Sequence, residues 1–124
     1  MQFFKRKTVF AVRSPERDRT TDKNRVLRLS EVMALFIEEI VSERDGLSKR
    51  YMEIEKDAGF LIDAIESDPE NSIKNQRLAE FEATLVNYKR RIRTLGMQAM
   101  ELQYVQKKLP QKFEEIDQEN QDLV

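Results

Sequence analysis

Between residues 78 and 123 the gaps between seam positions alternate three and four, through Leu78, Phe81, Leu85, Tyr88, Ile92, Leu95, Ala99, Leu102, Gln106, Leu109, Phe113, Ile116, Asn120 and Leu123. Only Gln106 and Asn120 in that stripe are strongly polar. A helix under-wound to 3.5 residues per turn keeps such a seam turned toward one partner helix along its whole length. A second stripe precedes it, at Met33, Ile37, Ile40, Arg44, Leu47, Tyr51, Ile54, Ala58, Leu61 and Ile65, and its register extends backward to Ser30 and Val26. Between the two lies Ser67-Asp68-Pro69-Glu70-Asn71-Ser72, where a proline and several capping residues stop the helical ladder.

The predicted fold is all-α, an elongated antiparallel helical hairpin of coiled-coil type. The first helix is expected over 22–66, with Thr21 or Asp22 as its cap, and would be about 68 Å long at 1.5 Å per residue. The turn is expected over 67–72 and the second helix over 73–122, kinked or broken near Pro110 because an interior proline loses a hydrogen bond and crowds the preceding turn. Facing residues of an antiparallel pair have nearly constant sums of their numbers. A sum of 143 puts Arg44 opposite Ala99, Tyr51 opposite Ile92 and Ile37 opposite Gln106, and one unit lower Leu47 meets Leu95. On the flanks it sets Glu55 beside Lys89, Phe36 beside Val105 and Arg50 beside Arg91, and at the far end it brings Phe113 to Ser30 and Ile116 to Val26. A slip to 139, with Leu47 against Ile92 and Ile40 against Ala99, also keeps the seams together. Arg44, the charged seam position, reads as a polar break that sets pairing while its stem covers the seam.

Composition decides which chemistries remain. The 124 residues are 36% charged and 40% apolar with three glycines and three prolines, the balance of a long-helix protein and not of a many-stranded one. There is no cysteine and no histidine, so a disulfide framework, a thiolate metal site, a histidine general base and the Glu-x-x-His motif of carboxylate-bridged dimetal bundles are all excluded. Glu38 with Glu39, Glu53 with Glu55, and Glu114 with Glu115 read as solvated helix faces. No glycine-rich phosphate loop, calcium loop or nucleophile-base pair is present. No enzyme activity, cofactor or small-molecule substrate is expected, and without an apolar run of membrane-spanning length or a cleavable leader the expected compartment is the cytoplasm.

Net charge is −1, but its sign is divided along the chain: residues 1–28 carry nine basic and three acidic side chains, a net of +6, and the remainder carries 13 against 20, a net of −7. Residues 1–21 are read as a basic, flexible arm without a helical stripe, either disordered in isolation, packed on the helices, or added to the edge of a partner's sheet. Within it Lys5, Arg6, Lys7 and Arg13, interleaved with Phe3, Phe4 and Phe10, are the candidates for weak, salt-sensitive contact with nucleic acid or an anionic membrane. Ser14-Pro15-Glu16 could cap a short helical turn of its own.

The surplus apolar residues outside the seam carry the functional expectation. Met97, Met100 and Tyr104 are spaced i, i+3, i+7, with Val86 further back on the same helix, and Leu35 and Phe36 widen the apolar face of the first helix. A two-helix hairpin would leave them wet. They are expected to bind a protein partner or a second copy, as in a homodimeric four-helix bundle, making the chain an adaptor, scaffold or small chaperone. The cluster Lys89-Arg90-Arg91-Ile92-Arg93 reads as an ion-paired helix face and not as a phosphate site.

Overall fold

The computed structural model describes residues 14–123 and is an all-α helical hairpin. Helix α1 runs Pro15–Ser67 and helix α2 runs Ser72–Leu123. The chain divides into two compact units, Leu35–Gln103, which contains the turn, and Met1–Ala34 with Tyr104–Val124, seen here from Ser14 to Leu123.

Helix α1 starts earlier than the sequence pattern suggests, and its first turns show why. The Ser14 side-chain oxygen accepts from the Arg17 amide at 3.3 Å, and its carbonyl accepts from Asp18 at 3.1 Å, so Ser14 is the N-cap and Pro15 the first helical residue. Glu16 and Asp18 complement the positive end of the helix dipole. Thr20 and Thr21 then donate their hydroxyls back to the carbonyls of Glu16 and Arg17, both at 3.0 Å. A threonine bonded to the residue four before it is inside a helix, and cannot also cap the next one. Asp22, the other expected cap, lies 3.7 Å from Arg25 one turn on. Residues 15–21 therefore belong to α1, and the arm that the sequence pattern extends to 21 is helical over its last third.

In the turn unit the connection is four residues long and closed by its own side chains. The Asp68 amide donates to Ile65, the Asn71 amide donates to the Asp68 carbonyl at 3.2 Å, and the Asn71 side-chain oxygen accepts from the Lys74 amide at 3.1 Å as the N-cap of α2. Asn75 donates to the Pro69 and Asn71 carbonyls, tying the loop to the first turn of α2. Ser67 and Ser72, the two helix ends, have numbers that add to 139, so the chain reverses between residues 69 and 70. A sum of 143 would need the reversal near residue 71 or 72, where α2 has already begun.

Two contacts confirm the lower register in this unit. Glu43 and Arg91 form an ion pair at 2.9 Å. With a sum of 139 Arg91 lies opposite Ser48, five residues or about 7.5 Å along the axis from Glu43, within reach of two long side chains; with 143 the offset is nine residues, about 13.5 Å. Arg91 thus meets Glu43 and not Arg50. The Arg44 Cδ comes within 4.0 Å of where a Cβ on Gly96 would stand, which sets the Arg44 stem beside Gly96, three residues before Ala99. Its guanidinium bends out to Asp45 at 3.3 Å while its stem covers the seam, the behaviour expected of it beside a different neighbour. Ala58, Leu95 and Ala99 are the buried residues here, and Leu95, 1% exposed, is the one fully buried large side chain among the described residues.

In the other unit Val26 and Met33 are buried. Gln106 donates through Nε2 to the Ser30 carbonyl at 2.8 Å, and Arg19 meets Asp117 at 3.2 Å. In each pair the numbers add to 136. Ser30 therefore receives Gln106 and not Phe113, and the seam glutamine has a backbone acceptor in place of a side-chain partner. Of the kink or break expected near Lys108 or Leu109, the break does not occur: helix α2 is continuous through Pro110. What changes there is the face. Seam residues up to Leu109 are covered, whereas Phe113, Ile116 and Leu123 are exposed and Asp117 is the half-buried residue turned to α1.

Candidate functional site

The six residues singled out as a partner surface, Val86, Met97, Met100 and Tyr104 on α2 and Leu35 and Phe36 on α1, are each more than half exposed. They do not form one patch. Within the turn unit the Glu43–Arg91 pair marks one side of the hairpin. Phe36 stands seven residues, nearly two full turns, before Glu43 and shares that side. Met100 stands nine residues after Arg91, two and a half turns, which places it half a turn round the helix on the opposite side, next to Gly96. Val86 lies fourteen residues before Met100, on the same side as Met100. Met97 and Leu35 occupy the backs of their helices, turned from the seam. An i, i+3, i+4 pattern groups residues on one helix, but only the inter-helix ion pair reveals which side of the hairpin each group takes.

Tyr104 belongs to the other unit, where the Lys108 ammonium sits 5.6 Å from the centre of its ring. A comparable contact, Lys56 over Phe60 at 6.0 Å, lies near the turn. At an exposed site such a contact contributes about 0.5–1 kcal/mol and leaves most of the ring available.

Two further exposed apolar residues, one on each helix, lie outside the groups singled out from the sequence. Met52 is among the most exposed large apolar side chains of α1, 70% accessible, on the Gly96 side of the hairpin. Ile73 is exposed in the first turn of α2. Met52 could have been found from its seven-residue spacing to Asp45 and Glu38, which runs parallel to the seam.

The unit that includes the far ends of α1 and α2 holds an open groove of about 560 Å³, lined by Val26, Leu27, Pro110 and Phe113 and flanked by the Arg19–Asp117 pair. Lys5, Arg6, Lys7 and Arg13, the candidates for anionic contact, lie outside the described residues. Of the basic cluster on α2, Arg91 is ion-paired, as expected of a solvated helix face, and Arg90 and Arg93 are exposed. Among the described residues no group of three acidic side chains is arranged to hold a metal ion, and no helix is long and apolar enough to cross a membrane. No protein-family model, curated protein or solved structure matches the chain.

Proposed function

We propose that this chain is a non-enzymatic protein–protein interaction module, an adaptor, scaffold or small helical chaperone, that holds its partner against apolar side chains on the outer surface of α2. The observation that supports this reading is Met97 with Met100, 61% and 71% exposed on a well-formed helix whose seam is already occupied. Large apolar side chains outside a satisfied seam add nothing to the hairpin that polar ones would not, so their presence side by side in a chain that is 36% charged favours contact with something else. Methionine suits such a surface because its unbranched thioether adapts to the partner.

The chain has no native cysteine, which allows a direct test. Single cysteines at Met97 and at the exposed Asn87 are labelled with a thiol reagent in the purified chain and in extract of the native cell. The expected result is that extract slows labelling at residue 97 at least several-fold and leaves residue 87 unchanged. Equal rates at both positions, in both settings, would mean that this face is ordinary surface.

A further inference from the structure

In the turn unit the two helices carry opposite charge. Residues 35–67 of α1 hold nine carboxylates against four cations, a net of −5, and residues 72–103 of α2 hold six cations against three carboxylates, a net of +3. Among the described residues one ion pair, Glu43 with Arg91, crosses the seam of this unit, on the side away from Gly96. On the Gly96 side, Glu38, Asp45 and Met52 recur every seven residues along α1, and Val86, Arg93 and Met100 recur every seven along α2. Seven residues are nearly two turns, so each trio forms a straight row, and all six side chains are exposed. With the helices in register at 139, Asp45 is level with Arg93, and Met52 with Val86, one row on each edge of the same face.

We infer that this face is the seat of a second copy of the same chain, which rests on the reading of the exposed apolar residues as contacts and names the partner for this group of them. A twofold axis running along the helices lays α1 of one copy over α2 of the other while preserving height. That operation brings Asp45 to Arg93, Met52 to Val86 and, at the end of the rows, Glu38 to Met100 of the opposite copy, and does so twice, as an isologous interface requires. Ser48 and Gly96, small residues between the rows, let the helices approach; nothing but the Arg44 stem lies near a Cβ built on Gly96. The interface also supplies burial that the hairpin lacks, since only five residues are buried among those described. The result is a four-helix bundle in which acidic-apolar and basic-apolar edges alternate. Met97, on the back of α2, stays outside it and available to a different partner.

Sedimentation equilibrium of the full chain and of two charge reversals, Asp45→Arg and Arg93→Glu, decides the matter. The wild type is expected to be a dimer, and each reversal alone to weaken dimerisation at least tenfold with helix content unchanged. An equimolar mixture of the two variants restores association to near the wild-type level, because one interface half then regains its native pair and the other has the same pair exchanged. The neutral changes Asp45→Asn and Arg93→Gln follow the same order with a smaller loss. A monomeric wild type, reversals that leave dimerisation intact, or a mixture no tighter than its components would each overturn the assignment. If residue 97 is shielded in extract while the reversals change nothing, the binding reading stands and the second-copy assignment alone falls.

Discussion

Leu95 shows how much of the seam rests on single residues. It is 1% exposed, beside Ala99 at 3%, in a hairpin whose other seam residues keep part of their surface in water. Replacing Leu95 with Ala is expected to lower stability by about 2–5 kcal/mol, the range for a buried leucine whose site cannot fully collapse. Denaturant unfolding followed by circular dichroism checks this, against Leu123→Ala at an exposed seam position, where the change is expected to stay within about 0.5 kcal/mol. The exposed Glu43–Arg91 pair contributes less than about 1 kcal/mol and matters more as a marker of pairing. At this scale the sequence pattern was highly legible: from Val26 through Leu109 every seam residue it names is buried or half-buried. It misplaced the partners of Arg44 and Gln106, because the seams also pair at lower sums and spacing alone does not choose among them.

For the elements, the turn decides what the seams leave open. Both 143 and 139 bring apolar stripes together, and the choice falls to the four-residue connection closed by Asp68, Asn71 and Asn75. Cysteines placed at Leu47 and Ile92 are therefore expected to cross-link within one chain under mild oxidation, a disulfide needing Cα atoms roughly 4.4–6.8 Å apart. Leu47 paired with a cysteine at Leu95 should cross-link poorly; the opposite preference would restore the higher register. Helix boundaries were less legible. Ser14 was visible as a cap, but that its helix would continue into α1 depended on Thr20 and Thr21 turning their hydroxyls inward along the helix, a choice that capping residues leave open in sequence. Past Pro110 the three-four spacing persists in the sequence while the covered face moves toward Asp117, where Arg19 offers an ion pair that Ile116 cannot use.

At the level of the molecule, the hairpin follows from two stripes and one turn, whereas the function has to be read from what the seam leaves over. The sequence pattern marks those leftovers as outside the seam on each helix, but not which side of the hairpin each takes; Phe36 and Met100 are separated by the seam, and this is visible only once Glu43 and Arg91 fix which side is which. Two faces of different character result, one with the charged rows on which we propose a second copy sits and one, at Met97, outside that interface. The most direct test of the binding reading is the double variant Met97→Glu with Met100→Glu, which places charge on both parts of the outer surface of α2. Each change is tolerated within about 0.5 kcal/mol at a position that only meets water and is costly where the side chain is desolvated in a contact. Sedimentation of the wild type and the double variant, purified and in native extract, with helix content measured alongside, is expected to show an intact helical chain in a smaller species than the wild type. A variant that stays helical, keeps the wild-type mass in both settings and retains every co-sedimenting protein would contradict it.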